Sequence, residues 1–117
     1  MSKDLSALDT ELNQLILSGK TNEAMERFYD RDCVMQENTD EPCCGLGPNL
    51  EREKQFSAAV EQWFGAKLVS QGIGDGVTFG EWEFDVQMKG APRSLMSQVS
   101  TRKWENGKIV HERFYHK

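Results

Sequence analysis

The sequence predicts an α+β domain: three helices followed by an antiparallel meander, with the helices on one face of the sheet. Three observations carry this prediction. Apolar residues recur at helical spacing from Leu5 to Phe64. Beyond Ala66 the pattern turns to alternation, clearest where Trp82, Phe84, Val86 and Met88 interleave with Glu81, Glu83, Asp85 and Gln87. Near the end, Asn106-Gly107 marks a type I′ hairpin, because both turn residues tolerate positive φ.

In the first helix, Leu5, Leu8, Leu12, Leu15 and Ile16 form one stripe, and Gly19 supplies a left-handed cap. Thr21 or Asn22 caps the second helix, with Ala24, Met25 and Phe28 inward and Glu23 and Glu26 outward. Cys33-Val34-Met35 reads as a brief strand, and 38–48, with Pro42, Gly45, Gly47 and Pro48, as a loop. The third helix is expected to start at Asn49, where Glu51 and Glu53 oppose the positive end of its dipole. Its expected buried stripe is Phe56, Ala59, Val60, Trp63 and Phe64, with Gly65 as the stop. Strands are expected over 67–73, 77–88, 94–104 and 108–115, with Gly74-Asp75-Gly76 and Lys89-Gly90-Ala91-Pro92 as turns.

The hairpin predicts its own register. Glu105 pairs with Lys108, and the ladder continues through Trp104–Ile109, Arg102–His111, Thr101–Glu112 and Val99–Phe114. One face then carries Val99, Val110 and Phe114, with Thr101, Glu112, Ser97 and His116 among them. The other carries Trp104, Ile109, Arg102, His111, Ser100, Arg113, Gln98 and Tyr115. The Val and Phe side is the expected inner face.

A length of 117 residues suits one domain, 1–117, with one core. The net charge of −5 disfavours nucleic acid and anionic membranes as partners. No apolar run is long enough to span a bilayer, and Met1-Ser-Lys-Asp is too charged for an export signal. Cys33, Cys43 and Cys44 are odd in number, which fits a reducing, cytoplasmic compartment.

The order helix–helix–short strand–loop–helix–four strands, closed by Trp104-Glu-Asn-Gly-Lys-Ile-Val-His-Glu-Arg-Phe-Tyr115, resembles the SnoaL-like branch of the NTF2-like superfamily. Phe28-Tyr29-Asp30-Arg31-Asp32-Cys33-Val34 and Pro42-Cys43-Cys44-Gly45 extend the resemblance over nearly the whole chain. It implies a cone in which a curved sheet wraps helices around a pocket, and a homodimer formed through the outer sheet face. Members include polyketide cyclases, ketosteroid isomerases, epoxide hydrolases, dehydratases and non-catalytic binding proteins, so the fold alone does not choose among activities. This chain departs from the pattern twice. His116-Lys117 stand where SnoaL-like chains often carry an aspartate, and Leu12 falls where ketosteroid isomerases have their oxyanion tyrosine.

Glu112 is the leading chemical candidate. Either it looks into the pocket from an apolar wall, where burial raises a carboxyl pKa, or it is solvated or paired with an arginine and structural. Glu37, with Gln36 competing for the place of the isomerase base, would complete an acid–base pair; the alternative is a loop carboxylate beside Asp40 and Glu41. His116 is a lid or proton shuttle, or a solvated tail. Tyr29, Met35, Trp63, Val99 and Phe114 are expected to line the pocket, although Trp63 at helical spacing reads more readily as core. Gln98, Trp104, His111, Arg113 and Tyr115 are expected at a dimer interface. Cys43-Cys44 has neither metal-ligand nor C-x-x-C spacing, and the glycines at 72–76 precede a strand rather than a phosphate-binding helix.

The expected function is binding of a small, largely apolar molecule in the cone. Any catalysis would be cofactor-free proton transfer of isomerase, cyclase, dehydratase or hydrolase type. The alternative is a non-catalytic ligand-binding or protein-interaction module.

Overall fold

Helices α1 (Leu5–Leu17) and α2 (Thr21–Phe28) lead into strand β1 (Tyr29–Glu37), and the two-residue β2 (Cys43–Cys44) precedes α3 (Leu46–Ala59). Strands β3 (Val60–Ile73), β4 (Val77–Met88), β5 (Arg93–Glu105) and β6 (Lys108–Tyr115) follow. The computed structural model describes residues 4–117, so Met1, Ser2 and Lys3 of the N-terminal stretch judged too charged for export lie outside the described residues. The six strands make one curved, unclosed sheet in the order β2-β1-β6-β5-β4-β3, an α+β architecture as expected. All neighbours are antiparallel except β1 and β6, which run parallel.

The N-terminal helices form where the sequence places them. The Asp4 carboxylate accepts from Ser6 N at 3.1 Å and caps α1. Gly19 adopts φ 78°, and Lys20 N donates to Leu15 O at 2.9 Å, closing α1 with a Schellman turn. That turn hands the chain directly to α2, whose N-cap is Lys20, with no capping side chain, rather than Thr21 or Asn22. Leu8, Leu12, Ala24, Met25 and Phe28 are buried together with Tyr29, Cys33, Trp104 and Ile109, forming the core at one end of the sheet.

The third helix differs from expectation. It begins earlier, at Leu46, and ends at Ala59, so Val60, Trp63 and Phe64 belong to β3. Their helical spacing is overridden because β4 is long enough to pair with them, from Val60–Met88 through Trp63–Val86. Asn49, expected as the helix start, lies inside the first turn, where its Nδ2 donates to Cys43 O at 3.0 Å and Gly45 O at 2.8 Å. Only Asn49 is fully buried on α3. The helix therefore borders the inner space of the sheet without filling it.

The hairpin register is corrected by one residue. Asn106 and Gly107 have φ of 53° and 76°, and Glu105–Lys108 and Trp104–Ile109 pair as expected. Val110 is then skipped: Lys103 faces His111, Arg102 faces Glu112, Ser100 faces Phe114 and Val99 faces Tyr115. The β1–β6 ladder also shifts, between Tyr29 and Val34. The extra residue lets Ile109 enter the core and still turns Glu112 and Phe114 to the same face. Trp104, Arg102, Ser100 and Gln98 accordingly point inward, against expectation, whereas Val99 and Thr101 point outward. Strand β3, at the free edge, carries three further register shifts against β4.

Candidate functional site

Register brings a row of side chains together on the concave face. Thr78 of β4 pairs with Arg102 of β5, Arg102 with Glu112 of β6, and Glu112 with Met35 of β1. Helix α1 adds Asp9 and Asn13 from one turn, and Tyr29 enters where α2 runs into β1. Arg102 Nε donates to Glu112 Oε2 at 2.7 Å, and Nη1 donates to Asp9 Oδ1 and Asn13 Oδ1, each at 2.7 Å. Asp9 also accepts from Thr78 Oγ1 at 2.9 Å, Gln71 Nε2 at 2.6 Å and Asn13 Nδ2 at 3.2 Å. Trp104 Nε1 donates to Thr78 Oγ1 at 2.9 Å, and the Tyr29 hydroxyl donates to Glu112 Oε1.

Asp9, Arg102 and Glu112 are 1%, 3% and 1% exposed. Charges so deep are tolerated only when paired and hydrogen-bonded: Asp9 accepts four hydrogen bonds, and Glu112 accepts one at each oxygen. Burial opposes the Arg102 charge, but Glu112, Tyr29 and Asp9 outweigh it and hold the guanidinium above its ordinary pKa. Burial, then the Glu112 charge, raises the Tyr29 phenol well above its usual value. Glu112 is thus a fixed acceptor clamped by a cation and a phenol, and Tyr29 remains a protonated donor.

Above this floor opens a cleft of about 1110 Å³, walled by Leu12, Met25, Met35, Phe56, Phe84 and Phe114. Glu53, from α3, also lines it. Burial raises the Glu53 pKa, the Glu112 charge adds to the rise, and Ser57 opposes it. From the sequence, Glu53 is expected at the helix start, opposing the dipole. Because α3 starts at Leu46, Glu53 lies about two turns in. Arg102 was missed as well, placed outward by the unbulged register; two consecutive apolar residues, Ile109-Val110, were the available signal of the bulge.

Of the residues expected at the site, Glu112, Tyr29, Met35, Trp63, Phe114, Glu37 and His116 all border the cleft. Trp63 does so from β3, 45% exposed, rather than from a helix. Glu37 sits one row nearer the rim, opposite Phe114, and bonds His116 Nε2 at 2.9 Å instead of approaching Glu112. The Lys117 main-chain oxygen and then Glu37 raise the His116 pKa. Val99 faces outward, 41% exposed, and is not a cleft residue. Among the residues expected at a dimer interface, Gln98 lines the cleft and Trp104 is only 6% exposed within the core. His111, Arg113 and Tyr115 are on the outer face with Val99 and Thr101. Among the described residues no group of three or more His, Cys, Asp or Glu could hold a metal ion, and no helix is long and apolar enough to cross a membrane.

A family model described as "SnoaL-like domain" matches residues 7–116. No curated protein matches the sequence. Among solved structures, the chain is similar to a candidate SnoaL-like polyketide cyclase from Mesorhizobium loti, with 19% identity, 97% of this chain and 100% of that one covered, and a TM-score of 0.89. It is similar to an M. tuberculosis epoxide hydrolase, with 12% identity over 95% of this chain and 84% of that one, at a TM-score of 0.75. A protein with a ketosteroid isomerase-like fold from Catenulispora acidiphila, in complex with trimethylamine, shares 12% identity over 88% of this chain and 80% of that one, at a TM-score of 0.75. Identities this low establish a common fold.

Proposed function

Because the chain belongs to the SnoaL-like family, we propose that its cleft holds a small, largely apolar molecule and performs cofactor-free proton transfer on it. One observation carries this reading. Two carboxyl groups share the cleft in different environments: Glu112 is clamped by Arg102 and Tyr29, whereas Glu53 is partly buried among apolar walls with a raised pKa. Glu53, whose carboxyl is held above its ordinary pKa by burial and the Glu112 charge, is the group that takes and returns the proton, and Glu112 is the fixed polar floor. Glu37 and His116 form a second proton-exchanging pair at the rim.

Apolar ketones and epoxides are the compounds to screen, given the polyketide cyclase and epoxide hydrolase among the similar structures. With a substrate found, Glu53→Gln should lower kcat by about 10²-fold or more while leaving ligand affinity nearly unchanged. Undiminished turnover would remove the catalytic part and leave a binding protein, the reading favoured by Glu112 being locked to Arg102.

We further propose that the outer sheet face joins two copies of the chain. Val99 and Tyr115 are cross-strand partners there, 41% and 43% exposed, with Phe79 41% exposed on the same face. Sedimentation velocity on wild type and Tyr115→Glu tests it: a dimer converted to monomer supports the interface, and a monomeric wild type removes it. The three free thiols suit a reducing cytoplasm.

A further inference from the structure

Arg102 has hydrogen-bonding capacity that the protein leaves unused. A guanidinium carries five N–H donors. Three are engaged: Nε by Glu112, and the two hydrogens of Nη1 by Asp9 and Asn13. Among the described residues, no side chain or main-chain oxygen accepts from Nη2. Nor is Nη2 sealed in the interior, because the one fully buried side-chain polar atom lacking a partner among those residues is Asn22 Oδ1. The Arg102 side chain is only 4% exposed and borders the cleft, so the opening left to Nη2 is the cleft itself. The Trp82 ring lies beside it, 6.0 Å from the guanidinium carbon.

Charge decides what can meet those donors. Asp9 and Glu112 are two negative charges against one positive, so the floor is already net negative. An anionic ligand drawn to Arg102 would also face both carboxylates, in surroundings that screen poorly. A neutral oxygen takes the hydrogen bonds without that repulsion, and a bare hydrocarbon leaves them unmade. We infer that Arg102 Nη2 is the polar anchor of the cleft, selecting small apolar molecules with a neutral oxygen acceptor, such as a ketone, ester or epoxide, over hydrocarbons and carboxylates. Arg102 is in this sense a specificity-determining residue, oriented by Asp9 and Asn13. The inference rests on the reading of the cleft as an apolar-ligand site, and deepens it.

The test compares three probes of one shape: α-tetralone, tetralin and tetralin-2-carboxylate. Each is titrated into the full chain labelled with ¹⁵N and followed at the indole N–H signals. The carbonyl stretch of ¹³C-labelled α-tetralone is recorded in the complex. The ketone should bind about tenfold or more tighter than the hydrocarbon, as expected for a hydrogen bond to a charged donor, and tighter than the carboxylate. Its carbonyl stretch should fall below the value in an apolar solvent. Arg102→Lys, which keeps a charge but loses the fork, should remove the ketone's advantage and leave tetralin binding intact; if that variant fails to fold, the wild-type spectrum decides. Equal binding of ketone and hydrocarbon, an unshifted carbonyl, or tighter binding of the carboxylate would overturn the inference alone. Binding of none of the three would overturn the apolar-cleft reading and the inference with it.

Discussion

Arg102 and Glu112 are partners twice over: they face each other in the β5–β6 ladder, and their side chains meet at 2.7 Å in a buried ion pair. Strand register, rather than side-chain reach, sets the geometry of the floor. The pair is also lopsided, since Arg102 serves Asp9 as well.

That asymmetry ranks the substitutions. Arg102→Met leaves two buried carboxylates without their cation and should cost about 3–5 kcal/mol. Glu112→Gln leaves Arg102 paired with Asp9 and should cost clearly less. Urea unfolding of the two variants checks the order, and equal losses would contradict it.

Tyr29→Phe deletes the hydroxyl that donates to Glu112 and should cost about 1–3 kcal/mol, with little loss of packing. In the wild type, Tyr29 should ionise only as the fold is lost at high pH, because burial and the neighbouring carboxylate disfavour the phenolate. Ultraviolet difference titration alongside circular dichroism would show whether the two events coincide.

Glu53 should make stability fall with rising pH. Its folded pKa lies above the ordinary 4.5, so the unfolded chain releases the proton first. Its contribution is complete below the ordinary value and is lost as pH climbs through the folded value. Glu53→Gln abolishes that loss, so its Tm should match the wild type at about pH 4 and exceed it at about pH 8. A constant difference across the range would contradict the assignment.

His116 titrates in the same sense. Its stabilising contribution is present below its ordinary pKa of 6.5 and disappears as pH rises through the raised folded value. Glu37→Gln should move the His116 pKa down, measurable from imidazole proton shifts, with only a small stability change because the pair is solvent-exposed.

Gly80 is held by space rather than by backbone conformation. An added Cβ would stand 2.8 Å from Trp82 Nε1 and 3.4 Å from Ser100 Oγ. Gly80→Ala should therefore cost about 1–3 kcal/mol and shift the tryptophan emission, as Trp82 is pushed toward the cleft.

Much of this fold was legible in the chain. The apolar stripes of α1 and α2 and the alternation of β4 mark elements whose local preference agrees with their packing. The Asn106-Gly107 turn and the first pairs of its hairpin follow from the positive φ they adopt. The misreadings fall where long-range pairing outweighs local pattern. Val60, Trp63 and Phe64 follow a helical period but are drawn into a ladder with β4. At the site, Glu112 was placed inward by a register that the bulge at Val110 corrects, and the same correction brings in Arg102. Asp9 carries no signal in the sequence, because its partners come from β3, β4 and β5 and no local spacing links them.

The free edge of the sheet is long and exposed, a condition under which proteins commonly associate strand to strand. β3 spans 14 residues with Val69 and Ile73 half open to solvent. Its three register shifts fall between Val60 and Gln62, Trp63 and Gly65, and Leu68 and Ser70. Each kinks the backbone and rotates the unpaired amides out of line, so a straight incoming strand finds matching donors and acceptors over only a few residues at a time. The irregularity of β3 thereby protects the chain against fibrillar self-association, and straightening it would trade solubility for a more regular sheet.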